Sequence, residues 1–401
     1  MIVAVDLGGF IPFPIFMATS IFHPNFPGAE ALQQAVDTAA FVIGLDLHKK
    51  TIAICVIDRR KPEQPVFQRK RLQNAELLSS LLRFPGRKVV VCEAAYGWFT
   101  LRDALAPLAD VTLILLDPRK TASWIATSGI KNDGIDAQIL CHTCLHGGIP
   151  SLAVHQPNRA ARECWKLIQH REQLVRLRTR IKNQLKPIDR DYGANPFTGE
   201  FPERSDLIAF IEADLHNALQ GIKERIEAMD REIAALSKGD AVVSLLQTIP
   251  GIGPITSFAL RHKIERIERF ADHAHLSSYF GFGLRQWQSG ERQTKGKIAK
   301  TGNSLIRSLL MQGAQAVCHR SPGTLALYFP TLGQEQRMAN PRHGNKIVTA
   351  LARKNLTFVY HIWKHRTPFD LERYRQRREQ QRATSPVPSE RAAELVRLLA
   401  R

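Results

Sequence analysis

The stretch Phe41-Val-Ile-Gly-Leu-Asp46-Leu-His-Lys-Lys50 decides how the rest of the chain is read. Its first five residues make an apolar run fit for a buried strand, and Asp46 stands where that strand emerges. A carboxylate at such a point is costly unless something positive needs it. Two further stretches extend the pattern. Lys88-Val-Val-Val-Cys-Glu93 ends an apolar run in an acid, and Lys131-Asn-Asp133-Gly-Ile-Asp136-Ala carries two acids three residues apart, which a helix places on one face. Each has a plain explanation when taken singly. Asp46 would be a turn residue before Lys49 and Lys50, Glu93 half of an ion pair, and the last two acids would be favoured by the dipole at a helix start. Four acids converging on one pocket would repel one another, and a hard divalent cation relieves that repulsion. The joint pattern predicts a metal site of Asp46, Glu93, Asp133 and Asp136, of the two-metal kind that transfers phosphoryl groups on a nucleic-acid backbone.

The segments between these acids supply the fold. Phe41–Leu47 and Thr51–Asp58 are β-rich runs joined by a short polar turn, which reads as a hairpin. Val66–Leu72 gives a third strand. Asn74–Phe84 has helical spacing with Asn74 as N-cap, Lys88–Cys92 a fourth strand, Tyr96–Leu108 a helix and Val111–Leu116 a fifth strand. A helix bearing Asp133 and Asp136 closes the set. Three strands in hairpin order followed by β-α-β and a final helix predict a mixed α/β sheet of the ribonuclease H-like (RuvC-like) type. In that fold the acids fall on strand one, strand four and the closing helix. The sequence divides into a leader over 1–40, a catalytic domain over 41–158, an amphipathic helical or coiled-coil region over 159–240, a mainly α C-terminal domain over 241–366 and a basic tail over 367–401. The leader is expected to be flexible. Its Val3-Ala-Val-Asp6-Leu-Gly-Gly resembles a catalytic strand in miniature, but prolines follow it rather than a second strand. Arg159–Leu185 and Ala213–Leu236 carry apolar residues at helical spacing, separated by a Pro-, Gly- and Asn-rich loop over Asp189–Asp206.

The composition narrows the partners. The 401 residues carry a net charge of +19 and a sequence pI near 10.0, which points to a polyanion. The longest apolar stretch, Phe10–Phe22, is too short and too interrupted by proline to span a bilayer. Six scattered cysteines do not form a disulfide framework, and Cys141-His-Thr-Cys144 lacks the partners of a structural zinc site, so reduced helix cysteines are expected. The compartment expected is a prokaryotic cytoplasm, in association with the nucleoid.

Two motifs in the basic C-terminal part carry chemistry. Leu246-Gln-Thr-Ile-Pro-Gly251-Ile-Gly253-Pro-Ile reads as a helix-hairpin-helix, in which Gly251 and Gly253 let backbone N–H groups approach a phosphate at a helix start. A plain glycine turn between packed helices is the other reading. Further on, Gln288-Ser289-Gly290 precedes Lys295-Gly-Lys297-Ile-Ala-Lys300-Thr-Gly-Asn303-Ser-Leu-Ile-Arg307. Ser289 among so many cations could be a nucleophile for a phosphodiester, or a turn serine in a phosphate-binding loop. Lys295, Lys297, Lys300, Asn303 and Arg307 fit phosphate contacts, and Gly344–Lys354 offers a further basic helix.

With these motifs the chain resembles the DEDD transposases of a large insertion-sequence family, relatives of the Piv-type invertases, over about residues 41–365. The match rests on Gly-Leu-Asp46-Leu-His-Lys, on Glu93-Ala-Ala-Tyr-Gly and on Lys-Asn-Asp133-Gly-Ile-Asp136-Ala. It also rests on the Ile-Pro-Gly251-Ile-Gly253-Pro hairpin, the Gln-Ser289-Gly turn and the run from Lys300 to Arg307. The resemblance implies a recombinase in which Asp46, Glu93, Asp133 and Asp136 hold Mg2+ or Mn2+ and Ser289 forms a phosphoserine with DNA. It implies donor and target DNA as partners, a structured guide RNA encoded by the element, and a homodimer or homotetramer. A junction resolvase or nuclease using metal-activated water, and a non-catalytic nucleic-acid-binding scaffold, are the alternative readings.

Overall fold

Alternation along the strands of the N-terminal part sends successive side chains to opposite faces of a sheet, and each face finds its own cover. The computed structural model describes residues 29–126, 132–147, 149–194, 198–199, 205–289, 292–320 and 341–384. Its first part runs α1 (Ala29–Thr38), β1 (Phe41–Leu47), β2 (Thr51–Asp58), β3 (Pro65–Gln73), α2 (Leu77–Leu82), β4 (Lys88–Glu93), α3 (Trp98–Leu105), β5 (Val111–Leu116), α4 (Pro118–Ala126), α5 (Asp133–Leu145) and α6 (Ile149–Leu152). The strands form one mixed sheet in the order β3-β2-β1-β4-β5, antiparallel across β1, β2 and β3 and parallel across β1, β4 and β5. Val42, Cys55, Val89, Val91 and Ile114 meet α1, α5 and α6 on one face. Ile43, Leu45, Ile54, Val90 and Leu115 meet α2 and α3 on the other. This is consistent with the ribonuclease H-like arrangement expected.

Gly44 lets α5 lie directly on β1. A Cβ at Gly44 would stand 1.9 Å from the carbonyl oxygen of Ala137 and 2.9 Å from Cys141 Sγ. Cys141 and Cys144 are buried at this seam, with Cys141 Sγ 3.4 Å from the carbonyl oxygen of Cys55.

The remainder is helical apart from one ribbon: α7 (Arg159–Tyr192), α8 (Asp206–Ser237), α9 (Ala241–Gln247), α10 (Pro254–Ile264), α11 (His273–Tyr279), β6 (Leu284–Ser289), β7 (Arg292–Ile298), α12 (Ser304–Arg320), α13 (Pro341–His365) and α14 (Leu371–Thr384). Helices α7 and α8 pair along their length, with Arg171 bonded to Asp230 between them. The helices from α9 to α13 share a separate core around Phe258, Phe280, Leu310, Leu356 and Trp363. The link 153–158 is tied to both halves. Gln156 donates to the Leu113 carbonyl at 2.7 Å, His155 contacts Glu265, and the Asn158 N–H donates to Glu265 at 3.0 Å.

Several expectations need correction. Residues 29–40 are not a loose leader, since α1 packs on the sheet with Val36 1% exposed and Ala39 5% exposed. Residues 1–28 lie outside the described residues, as does the tail from 385. Asn74 does not cap α2. It begins a 3-10 turn and donates from its side chain to the Lys49 carbonyl. Helix α7 runs through Pro187 to Tyr192, past the start expected for the loop, and α8 begins seven residues earlier than expected, capped by Ser205. The tail, expected to be helical in part, carries α14 over Leu371–Thr384.

Candidate functional site

Register decides how the first two acids meet. β1 and β4 run parallel with Phe41 opposite Lys88 and Leu45 opposite Cys92, so one further step sets Asp46 beside Glu93. Both sit at the C-terminal ends of parallel strands, the edge at which open α/β sheets place their sites. Helix α5 begins at Asp133, with Asn132 as its N-cap accepting from the Gly134 N–H at 3.1 Å. Gln68 on β3 holds the same turn by donating to the Gly134 carbonyl at 2.8 Å. Pressed onto Gly44, the helix carries its acids to the strand ends.

Asp46 and Asp133 come within ligand-sharing reach, and His48 joins them. His48 Nε2 lies 3.4 Å from Asp46 and 3.1 Å from Asp133. Among the described residues these three form the metal-ligating group whose donor atoms all lie within 4.8 Å of one another. Glu93 and Asp136 are outside that tight trio but inside its field. The Glu93 carboxyl is lifted above its ordinary range first by burial, then by the charges of Asp46, Asp136 and Asp117, against a hydrogen bond from the Thr121 hydroxyl. Asp46 is likewise raised by burial and by Asp133, while His48 opposes the shift. Acids crowded enough to resist ionisation are what a divalent cation relieves. Carboxylate oxygens joined by one imidazole nitrogen make a donor set for a divalent cation. Lys49 and Lys50, both exposed, rim the site with positive charge.

His48 is a potential ligand that the apolar-run pattern alone does not single out, because it falls in the polar turn after β1. The available signal was its spacing: two residues beyond Asp46, a side chain at a strand end returns to the same side.

The C-terminal candidates lie on other elements. Ser289 ends β6, opposite Arg292, on a two-stranded ribbon that shares no strand pairing with the main sheet. Gly290 and the side chains of Ser289, Lys295 and Lys297 lie outside the described residues. The ribbon's base is locked by backbone against backbone. A Cβ at Gly281 would stand 1.9 Å from the Thr301 carbonyl oxygen, and one at Gly302 would stand 2.1 Å from that of Tyr279. Arg307 clamps both sides by donating to the carbonyls of Phe280 and Thr301, at 3.1 and 2.9 Å. Asn303 caps α12 by accepting from the Ile306 N–H. Arg307 and Asn303 thus have structural work that spacing did not reveal, while Lys300 is exposed at the turn with φ 54°.

The two hairpin glycines differ in kind. Gly251 has φ 86° and is pressed on α12, where a Cβ on Gly313 would stand 1.9 Å from its carbonyl oxygen. Asn355, fully buried, donates to the neighbouring Pro250 carbonyl. Gly253 is exposed and caps α10, with open space around it.

Comparison with known proteins agrees with this layout. Residues 43–188 match a family model for DEDD transposases of the IS110 type, and residues 243–329 match the model described as the transposase IS116/IS110/IS902 family. Together the two span more than half of the chain. A protein of Pseudomonas aeruginosa named "Probable family 20 transposase" is 25% identical over 348 residues, covering 81% of this chain and 97% of that one. The transposase for insertion sequence element IS1111A of Coxiella burnetii is 24% identical over 341 residues, 80% of this chain and 88% of its own. The pilin gene-inverting protein of Moraxella bovis is 31% identical over 128 residues, 32% of this chain and 38% of its own.

Proposed function

As the chain belongs to the DEDD transposases of the IS116/IS110/IS902 family, we propose that it is a DNA recombinase that excises and inserts its own insertion sequence. The observation that carries this reading is the convergence at the strand ends: Asp46 and Asp133 with His48 within 4.8 Å, and Glu93 and Asp136 in the same field. Asp46, His48, Asp133, Glu93 and Asp136 would hold the divalent ion. Bound there, Mg2+ or Mn2+ neutralises charge that builds on a phosphate under attack.

The protein's own groups do the rest. Thr121 fixes the Glu93 carboxyl, and Gln68 and Asn132 fix the start of α5. Lys49 and Lys50 draw the DNA backbone to the pocket. Ser289 is the nucleophile: its oxygen forms a bond to phosphorus, a DNA oxygen leaves as a hydroxyl, and the strand is held as a phosphoserine until a second strand reverses the exchange. The nucleophile must come within roughly 3–3.5 Å of the phosphorus, so the ribbon and the pocket, from one subunit or two, close on the DNA. Gly253 at the open start of α10, together with Lys295, Lys297 and Lys300, takes up phosphates away from the break. A structured RNA from the element guides pairing with donor and target, and the working unit is a homodimer or homotetramer.

The location of Ser289 on a separate ribbon keeps one other reading in play, a nuclease or junction resolvase in which water attacks. Trapping separates them. Cleavage by the purified protein with Mg2+ should leave a covalent protein–DNA adduct that Ser289→Ala abolishes. Cutting without an adduct, at an undiminished rate in Ser289→Ala, would establish the water mechanism instead.

A further inference from the structure

Helix α14 lies beyond both matched family segments, and its sequence, Leu-Glu-Arg-Tyr-Arg-Gln-Arg-Arg-Glu-Gln-Gln-Arg-Ala-Thr, is rich in helix formers but offers almost no apolar face to pack. It carries five arginines against two glutamates and no apolar stripe. A helix polar on all sides needs outside support. Arg373 and Arg377, and again Arg378 and Arg382, fall four residues apart, a spacing at which like charges repel. Among the described residues, the ion pair within this helix joins Arg375 to Glu372 at 3.5 Å and involves neither Arg373 nor Arg377.

The root of the helix is nonetheless firmly built. Arg366 with φ 55° ends α13, and Asp370 caps α14 by accepting from the Arg373 N–H at 3.0 Å. Tyr374 packs with Phe358 and Phe369, ring centroids 5.4 and 6.1 Å away, and Lys354 lies 5.3 Å over its ring. The Phe369 N–H donates to Thr248 Oγ1 at 2.8 Å, which seats the root beside the turn leading to Gly253 and the open start of α10. A single aromatic on one side thus anchors a rod whose Arg373, Arg375 and Arg377 are exposed.

We propose that α14 is a DNA-binding arm that lays its arginines along the phosphates of duplex DNA outside the catalytic pocket. The proposal rests on the reading of the protein as a DNA recombinase. Fourteen residues of helix make a rod about 21 Å long. The major groove of B-form DNA, about 12 Å wide, admits such a rod, whereas the deep, narrow groove of duplex RNA does not. DNA phosphates also relieve the arginine crowding that the helix carries when free. The contacts are to backbone and are blind to base sequence.

The test is the salt dependence of binding by the full chain to a duplex of arbitrary sequence, for wild type and for Arg373→Gln/Arg375→Gln/Arg377→Gln. Each phosphate contact contributes about 0.9 to the slope of log affinity against log salt. The triple variant should show a slope shallower by about 2 to 3, an affinity at least about 10-fold weaker at 0.15 M salt, and an unchanged melting temperature. A slope equal to wild type overturns the arm while leaving the recombinase reading intact. Failure of wild type itself to bind duplex DNA overturns both. A loss seen on structured RNA but not on the duplex assigns the helix to RNA and overturns the proposal as stated.

Discussion

Burial and crowding hold the carboxyls of Asp46 and Glu93 above the ordinary carboxylate range, and that fixes the sign of a pH effect. In the folded, metal-free protein both groups keep their protons to higher pH than in the unfolded chain. The stability they contribute is present in full below the unfolded values and is lost as pH rises through the raised ones. Asp46→Asn removes one member of the set, so its melting temperature should gain on wild type as pH climbs from about 4 towards neutrality. A scan of melting temperature against pH in chelator checks this, and parallel curves would count against it. Adding Mg2+ should stabilise wild type and leave the variant unmoved. In strand transfer, Asp46→Asn should cost about 10²- to 10³-fold. Thr121→Val removes the hydroxyl that orients Glu93 and should cost about 10-fold or more in activity. An undiminished rate in single-turnover assays of Thr121→Val would show that Glu93 needs no such support.

At the level of elements the geometry turns on α5 riding on β1. Gly44→Ala places a methyl 1.9 Å from the Ala137 carbonyl oxygen, and backbone cannot yield as a flexible side chain does. The variant should lose about 2 kcal/mol of stability and should also lose activity when assayed well below its melting temperature, because Asp133 and Asp136 move with the helix. Normal activity at such a temperature would mean that the acids do not depend on this seam. Much of this level was legible in the sequence. Four of the five strands are legible as short apolar runs bounded by turns and β3 as an alternating one, and the Asp46 and Glu93 positions follow from where two of those runs end. The α1 helix was not legible, because its amphipathic pattern is short and follows a proline-rich stretch that reads as a leader. Continuation of α7 past residue 189 is hidden in the sequence, since Pro187 is a strong breaking signal that the helix nonetheless runs through. The roles of Gly251, Asn303 and Arg307 depend on contacts with residues far along the chain, which spacing cannot reveal.

The described residues form a sheet part and a helical part joined by the link at 153–158, with the carboxylate group on the sheet part and the base of the Ser289 ribbon in the helical part. On the proposed serine mechanism, the two parts, or two copies of the chain, would close on DNA. A Ser289→Cys variant should retain DNA and metal binding while its strand transfer falls steeply, since the ribbon's base is set by Gly281, Gly302 and Arg307 rather than by residue 289. Loss of metal binding in that variant would tie the ribbon to the pocket in the resting protein. The claim beneath all of this is that acids remote in sequence share one ion at the ends of β1 and β4. Mn2+ binding followed by electron paramagnetic resonance, on wild type and on Asp46→Asn/Glu93→Gln, tests it most directly. The account predicts saturable binding in wild type that the double variant loses while keeping its duplex DNA affinity; equal Mn2+ affinity and stoichiometry in the two proteins would contradict it.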